Sequence, residues 1–180
     1  MSKPFIFGIG LSRTGTTSLA EALRIFGYNS CHWPRSIEEL ESHEAVCDIT
    51  VSCRFGELDR KFPASKFIYT FRDISSWLKS CVAHYDYLRR HRDSLALPAF
   101  CVEAEMDLFG TLEFDERKFI AAYQRHHESI MSYFANRREV LLVLDIVGGD
   151  GWETLCNFLV RPVPSVRFPC EHSGSRPPWQ

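Results

Sequence analysis

Apolar positions along this chain follow two rhythms in turn. Short β-branched or aromatic runs alternate with stretches in which apolar residues recur every three or four positions, a pattern that predicts strands followed by helices. Phe5-Ile6-Phe7-Gly8-Ile9 is the first run, and from Thr17 onward Leu19, Ala22, Leu23 and Phe26 mark a helix that Gly27 ends. Tyr28 to Cys31 reads as a second short strand, and Ser36 with Glu39 as a capping box opening a helix through Leu40. "AVCDITVSC" (Ala45 to Cys53) predicts a strand interrupted by one carboxylate, and "SKFIYTF" (Ser65 to Phe71) a cleaner one ending at Arg72-Asp73. A helix begins at Ser75 or Ser76, bears Trp77, Leu78, Cys81 and Val82, and continues through "YLRRHR".

From Asp93 to Glu116 the periodicity fades, and Pro98 and Gly110 suggest an irregular lid or acceptor-binding segment. Regularity returns in "DERKFIAAYQRHHESIMSYFANR" (Asp115 to Arg137), a helix carrying Phe119, Ala122, Tyr123, His126, Ile130 and Phe134 on one face. "EVLLVLDIV" (Glu139 to Val147) is nearly unbroken apolar sequence, as expected of a strand buried on both faces of a parallel sheet. A turn, a short helix and a proline-rich tail close the chain. The alternation implies an α/β three-layer sandwich, a central parallel sheet flanked by helices, in one domain spanning residues 1–180.

Composition narrows the function. A net charge of -2 supplies no global basic field, so nonspecific nucleic-acid binding is disfavoured and any anion site must be built locally. Seven cysteines without a C-x-x-C pair read as reduced thiols, with no disulfide framework and no zinc site. No apolar stretch approaches the roughly 18 residues of a membrane-spanning helix. The expectation is a soluble, cytoplasmic protein with no membrane or nucleic-acid partner; its oligomeric state is not legible.

The chemistry begins in Gly10-Leu11-Ser12-Arg13-Thr14-Gly15-Thr16-Thr17, which has the G-x-x-x-x-G spacing of a phosphate loop between a strand and a helix. A dinucleotide fingerprint fails, because Arg13 stands where its third glycine belongs. Thr16 replaces the lysine that ATPases extend to the β and γ phosphates, which leaves a triphosphate under-neutralised. Arg13 is instead placed to meet charge on a transferred group. Arg72 follows a strand at the carboxyl edge, with Ser80 two helical turns on, a pair suited to a second phosphate; alternatively Arg72 pairs with Asp73 or a neighbouring helix.

The loop "GLSRTGTTSL", together with "KFIYTFRDISSWLKS" and "DGWETLCNFLVRPVPSVRFP", resembles the P-loop sulfotransferase family over nearly the whole chain. It is most similar to the smaller group in which G-W-E-x-L-C-x-F-L precedes a P-V-P and F-P tail, here Gly151 to Leu159, Pro162 to Pro164 and Phe168-Pro169. The resemblance implies 3′-phosphoadenosine 5′-phosphosulfate (PAPS) as co-substrate, without a metal, and a small-molecule acceptor carrying a hydroxyl or amine. By motif match, Arg13, Thr14, Gly15, Thr16, Thr17 and Ser18 hold the 5′ phosphosulfate, and Arg72 and Ser80 the 3′ phosphate. Arg13 is also catalytic, meeting charge on the bridging oxygen.

The family's base lies at the end of the strand before the arginine strand, where Asp48 stands; His32 is the second candidate. Glu103, Glu105 and Asp107 form an acidic run in the irregular segment that suits a cationic acceptor or a solvated face, and Phe100, Met106, Phe109 and Phe114 suit an apolar pocket or core anchors. Two other readings compete. One is a small P-loop nucleotide kinase with Asp145 in a Walker-B-like strand, and the other a non-catalytic module that binds PAPS or its product 3′-phosphoadenosine 5′-phosphate (PAP).

Overall fold

Strand pairing fixes where the loops of this chain meet. In the computed structural model, which describes residues 5–91 and 97–170, β1 (Ile6–Gly8), β2 (Ser30–His32), β3 (Ala45–Cys47), β4 (Lys66–Thr70) and β5 (Leu141–Leu144) form one parallel sheet in the order β2-β3-β1-β4-β5. The helices are α1 (Thr16–Ile25), α2 (Ile37–Glu41), α3 (Ile49–Ser52), α4 (Phe55–Lys61), α5 (Ile74–Arg90), α6 (Ala99–Phe109), α7 (Glu116–Tyr133) and α8 (Trp152–Leu159). The expected α/β architecture, a parallel sheet between helical layers, is therefore present.

Side chains alternate across a strand, so β1 serves two cores. Ile6 packs with Leu19 and Leu23 of α1 and Leu155 of α8, while Phe7 and Ile9 pack on the opposite face with Leu58 of α4, Ile130 of α7 and Phe134. A third cluster lies beyond the carboxyl ends of the strands, where Trp77 of α5, Ala104 and Phe109 of α6 and Phe119 of α7 meet Leu11 and Ile49. That cluster holds the loops of the site.

Side-chain caps open four of these eight helices, α2, α3, α5 and α7. Ser36 Oγ accepts from Glu39 N at 3.2 Å, although the Glu39 carboxylate returns to Arg35 N and not to Ser36. Asp73 caps α5 through Ser76 N at 2.9 Å, slightly ahead of the serines expected to open it, and Asp115 caps α7 through Lys118 N at 3.1 Å.

Three expectations are corrected. The strand predicted over Ala45 to Cys53 stops at Cys47, because Asp48 has φ 106 and caps α3, and burial of Ile49, Thr50 and Val51 overrides their β propensity. Within the segment 93–116 expected to be irregular, α6 buries Cys101, Ala104, Leu108 and Phe109 on one face; Cys101 and Ala104 are too small to register as a hydrophobic stripe. Residues 93–96 of that segment lie outside the described residues. The strand expected over Glu139 to Val147 is shorter and stands at the sheet edge, which leaves Val143 40% exposed.

The tail after α8 folds back on it. Trp152 Nε1 donates to Val166 O at 2.7 Å, and Phe168 packs edge-on against the Trp152 ring. Among the described residues no helix is long and apolar enough to cross a membrane.

Candidate active site

The connection from β1 runs toward β2 on one side of the sheet, and that from β4 toward β5 on the other. Their carboxyl ends therefore flank a topological switch point, where ligands of open parallel sheets bind. The glycine loop follows one of these strands and Arg72 the other.

Close packing shapes the loop. A Cβ at Gly10 would stand 1.8 Å from Thr70 Oγ1 and 2.5 Å from Thr70 O, so only glycine lets the loop lie against β4. Thr14 Oγ1 reaches Leu11 O at 2.6 Å and Thr70 Oγ1 at 2.7 Å, Ser52 Oγ donates to Gly10 O at 2.6 Å, and Trp77 Nε1 donates to Ser12 O at 2.8 Å. Arg13 at φ 71 and Gly15 at φ 105 turn the backbone through the left-handed region into α1. No side chain caps α1. The backbone of its first turn stands at the positive end of the dipole, the place where helices cradle anions.

Thr14 departs from its expected role. Its hydroxyl is occupied by Leu11 and Thr70, and its N–H bonds Leu11 O at 3.3 Å, so it braces the loop and offers nothing to a ligand. Gly15, Thr16, Thr17 and Ser18 open α1 as the cradle requires.

Arg72 turns toward the loop. Its Nη1 donates to Arg13 O at 3.0 Å and its Nε to Ser76 Oγ at 3.0 Å, while Arg13 Nε donates to Ser80 Oγ at 3.1 Å. Ser80 and Arg72 thus meet through Arg13, and Ser76 is the hydroxyl bound to Arg72. Asp73, the alternative partner, is engaged in capping α5. Burial above all, with Arg72 adding to it, lowers the Arg13 guanidinium from its ordinary value. An anion in the cradle would relieve both effects.

Asp48 and His32, taken from the sequence as rival bases, form a single pair. Asp48 Oδ2 lies 3.0 Å from His32 Nε2, and its Oδ1 accepts from Ile49 N at 2.6 Å and from Ser12 Oγ at 3.3 Å. Burial pushes this carboxyl up, but the adjacent His32 and the donated bonds outweigh burial and hold it below the usual carboxylate range. An ionised Asp48 accepts a proton carried on Nε2 and fixes the orientation of the ring. Thr16 Oγ1 and Thr17 Oγ1 approach the same Nε2 at 3.1 and 3.2 Å, so the ring borders the cradle. Arg13, Thr16, Thr17, His32 and Asp48 all open onto one cavity of about 60 Å³.

Sequence reading missed Ser12, Ser76 and Trp77 as parts of this region, and had Glu105 only within an acidic run suited to a cationic acceptor or a solvated face. Ser76 was within reach of it, since residues four apart share a helix face; the others depend on packing between distant segments. The acceptor aromatics are mostly structural. Phe109 stacks on Phe119 at 4.4 Å, Phe100 lies under the Arg54 guanidinium, and Met106 is 47% exposed. Asp145 Oδ1 accepts from Gly148 N at 2.7 Å within the turn after β5, which engages the carboxylate that a Walker-B reading needs. Among the described residues no group of three or more His, Cys, Asp or Glu is arranged to hold a metal.

No curated protein matches the sequence. A family model of the sulfotransferase domain matches residues 5–43 and 35–176, spanning both the cradle and the arginine strand. With that match over nearly its whole length, the chain belongs to the sulfotransferase domain family.

Proposed function

We propose that this protein transfers a sulfuryl group from PAPS to a hydroxyl or amine of a small acceptor. The observation that carries this reading is the 3.0 Å bond from Arg72 to the Arg13 carbonyl. It brings the two elements expected to bind anions into one patch, as a ligand with two separate phosphate-type groups requires. The backbone of Gly15, Thr16, Thr17 and Ser18 with the Arg13 guanidinium would hold the 5′ phosphosulfate. Arg72 and Ser80, with Ser76 beside them, would hold the 3′ phosphate. When bound, PAPS supplies an activated sulfuryl group whose leaving oxygen gains negative charge as the S–O bond breaks.

The His32–Asp48 pair takes up the acceptor's proton as the nucleophile bonds to sulfur, the carboxylate stabilising the imidazolium that results. Arg13 meets the charge on the departing oxygen. A threonine at position 16 suits this ligand, because no γ phosphate has to be neutralised.

PAP should raise the melting temperature while Mg-ATP leaves it unchanged; stabilisation by Mg-ATP alone would favour a nucleotide kinase. Arg13→Ala should reduce labelled-sulfate transfer by about 10²- to 10³-fold with a smaller loss of PAP affinity. Equal losses in the two measurements would remove its transition-state role. PAP binding without transfer to any of a broad panel of alcohols and amines would leave a binding module.

A further inference from the structure

Opposite the cradle, the same cavity has a wall that donor binding and proton transfer leave unexplained. It is built from α5 and α6. Arg54 bonds Glu103 at 3.0 Å and lays its guanidinium 4.4 Å from the centre of the Phe100 ring, while Arg125 donates to Leu108 O at 2.9 Å; both contacts fasten α6 in place. Of the three carboxylates grouped by sequence spacing, Glu103 is taken by Arg54 and Asp107 is exposed. Glu105 alone lines the cavity.

Among the described residues, no lysine or arginine side chain bonds this carboxyl. Oε2 accepts the Tyr85 hydroxyl proton at 2.5 Å, and among the described residues that is its one protein donor, whereas three donors surround Asp48. A carboxylate has room for several more. The titratable groups facing it are Tyr85, Cys81 and His84 from α5, Cys101 on α6, and Asp48 ahead of α3. None of them is a permanent cation, and Arg13, at the cradle end, is bonded to Ser80. Burial pushes the Glu105 carboxyl up to about 7; the Tyr85 bond opposes that rise and Asp48 adds to it.

Hydrocarbon surface adjoins this carboxyl. Leu88 and Leu97 line the cavity and also a second one of about 450 Å³, whose other walls include Tyr85, Val102, Leu112 and Phe114. The Tyr85–Glu105 bond therefore stands between a charged site and a larger, mainly apolar space.

Building on the sulfuryl-transfer reading, we infer that Glu105, held by Tyr85, is the acceptor-recognition group, and that the acceptor is a protonated amine on a hydrocarbon framework whose separate hydroxyl faces His32. The ammonium supplies the missing partner, and the hydrocarbon lies against Leu88 and Leu97. A protonated amine is not a nucleophile, which is why the hydroxyl of the same molecule takes the sulfuryl group. A negatively charged donor in the cradle strengthens the preference for a cation.

Calorimetric titration with phenethylamine and with 2-phenylethanol, which differ in a single group, tests the site without requiring transfer. Performed with and without PAP, it should show the amine binding at least about tenfold more tightly. The preference should grow from about pH 6 to about pH 8, as a carboxyl titrating at about 7 ionises. Glu105→Gln should abolish the preference while PAP affinity is kept, and Tyr85→Phe should weaken it in part. Equal affinities, tighter binding of the alcohol, or a preference that survives Glu105→Gln overturns the proposal. Loss of PAP binding with the amine preference intact would count against the donor assignment and still support the role of Glu105.

Discussion

Asp48 occupies a backbone conformation, φ 106 and ψ −179, that side-chain-bearing residues adopt only under constraint, and Ile49 N, Ser12 Oγ and His32 Nε2 around its carboxylate supply that constraint. Strain of this kind is retained where surrounding contacts over-determine it, and here it aims the carboxylate at the imidazole. His32→Ala should lower kcat for sulfuryl transfer by about 10²- to 10⁴-fold, and Asp48→Asn should lose a large part of the same factor. In the double variant the loss should be no greater than in His32→Ala, because the two residues act as one unit. If the separate losses multiply instead, the dyad is wrong. His32 was legible as a candidate from its place after a strand and Asp48 from the family resemblance; their partnership was not, because it depends on β2 pairing with β3 in the register that sets His32 level with Cys47.

Among the elements, α5 organises the site. Its amino end carries Ser76, Trp77 and Ser80 against the loop, and its middle carries Tyr85 to Glu105. The Trp77 ring is completely buried, and its N–H satisfies Ser12 O. Trp77→Phe keeps an aromatic ring but leaves that carbonyl without its donor, at a cost of about 1–3 kcal/mol in urea unfolding, with the smaller ring adding a cavity. PAP affinity should fall along with stability, since the carbonyl belongs to the cradle loop. A variant as stable as the wild type would show that Ser12 O finds another donor. This helix was readable from its periodicity, whereas α6 was not. Its buried face uses small residues, and its charged residues serve tertiary contacts that no local pattern encodes.

At the scale of the whole molecule, two titratable groups shifted by desolvation oppose each other as pH falls. Burial lowers His126 to about 4, with its bond to Ile9 O opposing that and His127 adding to it. The unfolded chain takes up this proton near pH 6.5, so the contribution of His126 is complete above about 6.5 and is lost as pH falls toward about 4, by at most about 3 kcal/mol. Glu105 has the reverse sign. Its folded value of about 7 exceeds the unfolded one, so its contribution is complete below about 4.3 and is lost as pH rises through about 7. In urea unfolding between pH 7.5 and 4.5, His126→Gln should remove the acid-side loss of stability, and Glu105→Gln should steepen it. Parallel pH profiles for the two variants and the wild type would contradict both assignments.

The sequence alone was sufficient for the alternation of strands with α1, α2, α5, α7 and α8, the phosphate-type spacing of the loop and the consequence of its missing lysine, because these are written in local periodicity, turn chemistry and motif spacing, whereas α3, α4 and α6 are not. Arg13, Arg72 and Ser80 were singled out as candidates in the same way, and the structure brings them together. Only the tertiary structure decided that Asp48 and His32 are partners, that Thr14 faces inward, and that Glu105 shares a cavity with residues more than 50 positions away. Those outcomes depend on strand order and on how α6 packs over α3, which are set by burial summed over distant segments and by no short stretch of sequence.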